Sequence, residues 1–201
     1  MQTELLQGGF ADPVLEAQSV FRALMAAMAE PGTVQTFSAE MAPPPALPSA
    51  LAAIACTLCD TDTPVWLDAP LATDKAVRGW LAFHTNAPLA ADPALAQFAL
   101  VADPAGLSPL PDFAIGDDAY PDRSATLVLA CSGFREGNAV DLTGPGIEDR
   151  RRFGLPAMPA GFRDWWERNG ALFPRGVDLF LAAPEGVAAL PRTTRICWRE
   201  D

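Results

Sequence analysis

Apolar and polar positions follow two periods along this chain. Val14, Ala17, Phe21, Leu24, Met25 and Met28 recur at helical spacing, and Asp12-Pro13 before them offers an N-cap and a first-turn proline. The pattern predicts an amphipathic helix that Glu30-Pro31-Gly32 ends, with Arg22 set among its apolar positions. Thr33 to Phe37 reads as a short strand. A proline-rich connector, Pro43 to Pro48, leads to an alanine-rich buried helix from Ser49 to Cys59. The Asx-rich turn Asp60-Thr61-Asp62-Thr63-Pro64 then feeds a compact strand, Val65-Trp66-Leu67. Asp74 to Phe83 predicts another helix, stopped by His84-Thr85-Asn86-Ala87-Pro88, and Gln97 to Val101 another strand.

Residues 103–123 carry Pro, Gly and Asp throughout and read as one long irregular loop. Ser124 to Cys131 is continuously apolar, as a strand covered on both faces would be, and is the candidate central strand. In Val140-Asp141-Leu142-Thr143 the period drops to two, predicting a strand with one buried face that Gly144-Pro145-Gly146 must break. A variable loop, a helix from Ala160 to Asn169 with Trp165 and Trp166, and a buried strand from Val177 to Ala182 follow. Val187 to Ile196 closes the chain, interrupted by Pro191-Arg192-Thr193-Thr194. This succession predicts an α/β fold: a single domain over residues 1–201 with a mixed β-sheet sandwiched by helices, residues 1–11 forming an N-terminal segment.

Charge narrows the function. The net charge is −11 over 201 residues, which argues against a protein that grips long nucleic acid by its phosphates. Residues 1–122 hold 3 basic and 15 acidic side chains, whereas 123–201 hold 11 and 10, so an anion site belongs in the second part. No apolar run approaches the roughly 20 residues of a bilayer span and no basic segment precedes an apolar one at the start, so no membrane association and a cytoplasmic location are expected.

Candidate chemistry is sparse. Cys56 and Cys59 have the spacing of a zinc or redox pair, but they lie in an apolar helical run and read as core thiols of a reducing compartment. Asp60 and Asp62 lack a third carboxylate or histidine nearby in sequence, so turn capping explains them better than a metal. His84, the only histidine, is either structural or a ligand or relay, and a helix end favours its cationic form. The two glycines of the 144–146 turn expose backbone N–H groups. With Thr143, Thr193 and Arg192 they would make a cationic pocket for an anion if the two segments met at neighbouring strand ends. The competing role for Arg192 is an ion pair with Asp178 that holds the sheet.

Six motifs occur in order: Phe21-Arg22 through Pro31-Gly32, Asp62 to Leu67, Phe83 to Pro88, Leu142 to Ile147, Phe173 to Leu179, and Pro191 to Thr194. Together they resemble the PhnH family, a subunit of bacterial carbon–phosphorus lyase. Ala29 departs from the family's serine, and residues 103–123 match nothing in it. The resemblance implies a homodimer that joins the other core subunits of the lyase. It also implies the fold of pyridoxal-phosphate-dependent transferases without their cofactor. The only lysine, Lys75, lies at the start of a helix and away from any phosphate-binding turn, which agrees with no cofactor. The implied role is accessory: to support coupling of an alkylphosphonate to the ribose of a nucleoside triphosphate, with displacement of the base. Neither a catalytic residue nor a metal ligand is expected. Anion-binding or partner-facing candidates are Arg22, Asp62, Trp66, His84, Thr143, Gly144, Gly146, Asp178, Arg192 and Thr193, with a phosphonate or nucleoside triphosphate as candidate ligand. Two alternatives are a stand-alone phosphonate- or nucleotide-handling enzyme using His84 and Arg192, and a zinc or redox protein using Cys56 and Cys59.

Overall fold

The structure, a computed structural model, describes residues 7–134 and 138–198. Its frame is a five-stranded sheet in the order β1-β2-β3-β6-β7: β1 (Val65–Leu67), β2 (Phe98–Val101), β3 (Thr126–Ala130), β6 (Asp178–Ala183) and β7 (Gly186–Leu190). The first four run parallel and β7 returns antiparallel to β6. A second sheet, antiparallel and three-stranded, orders β5 (Arg151–Leu155), β4 (Asn138–Thr143) and β8 (Arg195–Cys197) with β4 in the middle. The fold is thus α/β with a mixed sheet, as expected, but the 140–143 strand lies outside that sheet.

Alternation along each strand divides the main sheet's side chains between two cores. Leu100, Val128, Phe180, Val187 and Ala189 face helices α1 (Pro13–Ala29), α2 (Ser49–Leu58) and α4 (Lys75–Thr85). Leu127, Leu129, Leu179, Leu181 and Leu190 face the small sheet, helix α5 (Phe162–Ala171) and the 103–123 loop. The central strand is β3, and Leu127, Val128 and Leu129 are each 0% exposed. Helices flank one face completely. The other is covered mostly by the second sheet and irregular chain, so the expected helical sandwich holds on one side only.

The helix signals worked locally. Asp12 Oδ1 accepts from the Val14 and Leu15 amides at 3.1 Å, and Asp74 Oδ1 caps α4 through the amides of Ala76 and Val77. A short helix, α3 (Ala69–Thr73), was not expected; Asp68 starts it. The predicted core face of α1 needs correction. Val20, Ala23, Leu24 and Ala27 are buried, whereas Val14, Phe21 and Met25 stay largely exposed. Small alanines let α1 approach α2 and β7 closely, which turns the bulkier residues outward. Two further expectations change. Thr33 to Phe37 makes only one bridge, Gln35 with Val187, instead of a strand. The variable loop after Gly146 contains β5, whose Phe153 and Leu155 point inward although arginines open the strand.

Candidate functional site

Three of the motifs meet. Thr143 pairs with Arg195, placing the ends of β4 and β8 side by side, so Gly144 lies against Thr193 and Thr194. A Cβ on Gly144 would stand 2.8 Å from the Thr193 carbonyl oxygen. Gly146, at φ +81°, packs on the end of α1, where a Cβ would come within 2.2 Å of the Ala29 carbonyl oxygen. Arg151 Nη1 donates to the Pro31 carbonyl at 2.7 Å, and Leu142 packs against Gly32. Trp166 Nε1 completes the junction by donating to the Thr194 carbonyl at 3.0 Å. The turn glycines are used for backbone packed on backbone. Thr143 and Thr193 are half-buried beside them.

Arg192 is the polar centre next to this junction. Its Nε and Nη2 donate to the two oxygens of Asp178 at 3.1 and 2.5 Å, and Nη2 also reaches Ser124 Oγ at 2.6 Å. Nη1 donates to the carbonyls of Pro121 and Pro174, both at 3.1 Å. A guanidinium has five N–H donors, and these contacts use all of them. The Arg192 amide adds a sixth tie, to Asp178 Oδ1 at 2.7 Å. Both side chains are about seven-eighths buried (13% and 14% exposed), so the pair is a strong internal link between β6, the 103–123 loop and the segment before β8. Of the two roles weighed for Arg192, this geometry serves the ion pair with Asp178.

The other nominated residues stand apart from the junction. Arg22 is exposed on α1. Asp62 is exposed in a turn where its amide donates to Asp60 Oδ1 at 2.9 Å. Trp66 is half-buried, edge-on to Phe113 at 5.4 Å, and anchors the 103–123 loop.

His84 borders a cavity of about 500 Å³ with Gln7, Gly9, Phe10, Pro13 and Cys56. Its ring lies 4.2 Å from Trp80 and 5.0 Å from Phe83, and its Nε2 is buried without a hydrogen-bond partner. Burial lowers its pKa below the ordinary 6.5, partly offset by the backbone of Gln7. The expectation of a cation favoured by the helix end is therefore corrected: desolvation outweighs the helix C-terminus. Burial likewise pushes the thiols of Cys56 and Cys59 up to about 12.

A larger cleft was not anticipated. It measures about 640 Å³ and opens where β2, β3 and β6 end, lined by Ser49, Asp103, Ala130, Cys131, Ser132 and Ala183 among others. Carboxyl ends of parallel strands are the usual place for ligands in α/β sheets. Asp68, 2% exposed, braces this edge by accepting from the amides of Ala102 (2.7 Å) and Asp103 (2.9 Å) while capping α3. The Cys131 thiol, raised to about 12 mainly by burial, donates to the Ala182 carbonyl. Among the described residues no arginine or lysine lines the cleft, and Asp103 is the charged residue on its wall. The available signal was the small residue, then Asp, Ser or Pro, at each strand end: Ala102-Asp103, Cys131-Ser132, Ala183-Pro184.

Comparison with known proteins adds to this geometry. The family model described as bacterial phosphonate metabolism protein (PhnH) matches residues 8–197. The chain is 44% identical over 195 residues to the alpha-D-ribose 1-methylphosphonate 5-triphosphate synthase subunit PhnH of Rhizobium meliloti (strain 1021), covering 97% of each chain. It is also 40% identical over 85 residues to the putative C-P lyase subunit protein HtxG of Stutzerimonas stutzeri, covering 41% of this chain and 42% of that one.

Proposed function

The chain belongs to the PhnH family, and from that membership we propose that it is an accessory, non-catalytic subunit of a carbon–phosphorus lyase core complex. There it supports the coupling of an alkylphosphonate to the ribose of a nucleoside triphosphate. One observation carries this reading: the 44% identity, over 97% of both chains, to a subunit named for the synthase. Arg192, one of the side chains that offered independent chemistry, also supports it, because it is engaged internally. It donates all five guanidinium N–H groups within the protein.

In the same reading the subunit is a cytoplasmic homodimer and its fold a cofactor-free relative of the pyridoxal-phosphate-dependent transferases. Four parallel strands closed by an antiparallel one support that likeness, as does Lys75, exposed at the first position of α4. No helix among the described residues is long and apolar enough to cross a membrane.

Reconstitution tests the proposal. The companion subunits from the same organism would be supplied with methylphosphonate and a nucleoside triphosphate, and release of the free base followed with and without this chain. Omission is expected to abolish release; full activity without the chain, or turnover by the chain alone, would overturn the accessory role. Sedimentation of the purified chain checks the dimer.

A further inference from the structure

The cleft at the carboxyl ends of β2, β3 and β6 has walls that the fold holds in place. Asp68, buried just after β1, accepts from the amides of Leu71, Ala102 and Asp103 and so fixes the chain that leaves β2. Glu185 does the same for the chain that leaves β3, accepting from the Phe134 amide at 3.0 Å. At about 640 Å³ the space falls within the roughly 300–1,000 Å³ of small-molecule pockets. Its polar groups are available. Asp103 Oδ1 accepts from the Ala105 amide, while Asp103 Oδ2 and the hydroxyls of Ser49 and Ser132 make no hydrogen bond among the described residues. Helix α2 starts at the same wall, and Pro48 before it supplies no side-chain cap, whereas Asp12, Asp68 and Asp74 cap α1, α3 and α4.

We propose that this cleft binds the hydroxyl-bearing ring of a sugar, either a free pentose or the ribose of a nucleoside. A sugar hydroxyl donates and accepts at once. Two neighbouring hydroxyls donate to the Asp103 carboxylate and accept from Ser49, Ser132 or the first amides of α2. An acidic side chain beyond the end of a parallel strand holds ribose hydroxyls in this way in dinucleotide-binding sheets. The rest of the wall is proline and alanine, Pro48, Pro104, Pro184, Ala105 and Ala130 among them, and meets the C–H faces of a sugar ring without leaving polar atoms unmatched. Other small ligands use less of this set. A phosphate or phosphonate suits the start of α2 but meets Asp103 as a like charge. An amine pairs with Asp103 and has no acceptor for the hydroxyls and amides opposite. Binding of this kind belongs to the chain alone and does not rest on the accessory-subunit reading.

Titration calorimetry on the full chain tests this with D-ribose, adenosine, inorganic phosphate and ethylamine. Wild type is compared with Asp103→Asn, whose amide oxygen can still cap the turn at Ala105, and with Ala105→Trp, which fills the cleft from an exposed position on its wall. Ribose or adenosine is expected to bind saturably to wild type, at least about ten-fold more weakly to Asp103→Asn, and undetectably to Ala105→Trp. Should Ala105→Trp melt lower than wild type, Asp103→Asn carries the comparison. Binding of adenosine without ribose assigns the site to a nucleoside, and binding of both assigns it to the sugar itself; either result supports the proposal. Failure of both to bind, equal binding by all three proteins, or phosphate or ethylamine displacing the sugar ligand would overturn it. None of these results alters the reconstitution, which tests the accessory role separately.

Discussion

On one face of the main sheet, three helices press alanines and other apolar side chains onto Val128 and Phe180. The other face is covered by a separate small sheet, one helix and a long loop, and there the joints are polar. Arg192 holds Asp178, Ser124 and two carbonyls. Asn169, 4% exposed, exchanges two hydrogen bonds with the Val177 backbone, and Arg151 reaches the Pro31 carbonyl. The contrast has a backbone origin. A helix satisfies its own N–H and C=O groups, so it can be held by apolar contact alone. Irregular chain buried against a sheet needs side chains to satisfy what its backbone leaves open.

A charge placed on the helical face should have the largest effect, since nothing polar waits there. Val128→Asp sets a carboxylate between Leu100 and Phe180, at a cost of about 3–5 kcal/mol or more against a typical total of about 5–15, so soluble expression should be lost. Wild-type melting would refute the placement of β3. On the polar face, Arg192→Ala leaves Asp178 buried without its partner and should cost about 3–5 kcal/mol in denaturant unfolding. Replacing both members with apolar residues should recover only part of this, because the buried Ser124 hydroxyl and the half-buried Pro121 carbonyl lose the guanidinium that donates to them.

Next comes the rotation of α1. Leu24→Ala should destabilise by about 2–5 kcal/mol and Met25→Ala by less than about 0.5, although the residues are adjacent; equal losses would show that the helix is turned otherwise. At the junction between the faces, Gly146→Ala should cost about 1–3 kcal/mol, from a left-handed backbone and a clash with Ala29, read as a lower midpoint at an unchanged m-value. The smallest expected effect is a pH dependence. Because His84 binds its proton less tightly when folded than when unfolded, stability should be full above pH 6.5. It should decline as pH falls from there through the lowered folded-state value. His84→Phe should flatten melting temperatures between about pH 7.5 and 5.5; an undiminished slope would assign it to other groups.

Local signals settled much of the fold. Asp12-Pro13, Asp74 and Glu30-Pro31-Gly32 act within a few residues of themselves, and the helix ends they predict stand close to the observed ones. The continuous apolar run at 124–131 was the candidate central strand with two covered faces, and β3 is that strand. The meeting of Thr143-Gly144 with Thr193-Thr194 was also legible as a condition, and pairing of β4 with β8 meets it. What failed depended on partners far along the chain. Both sides of α1 carry apolar residues at helical spacing. Which side is buried depends on how closely alanines let it approach α2 and β7, a property of packing and not of period. Arg151 reads as loop until Pro31, 120 residues away in sequence, supplies an acceptor for a guanidinium on an inward-facing strand position. Arg192 could have met an anion or a carboxylate, and the choice fell to the strand order that set Asp178, Ser124, Pro121 and Pro174 within its reach. The cleft is the extreme case: its walls come from the ends of separate strands, and no stretch of sequence contains a space between strands.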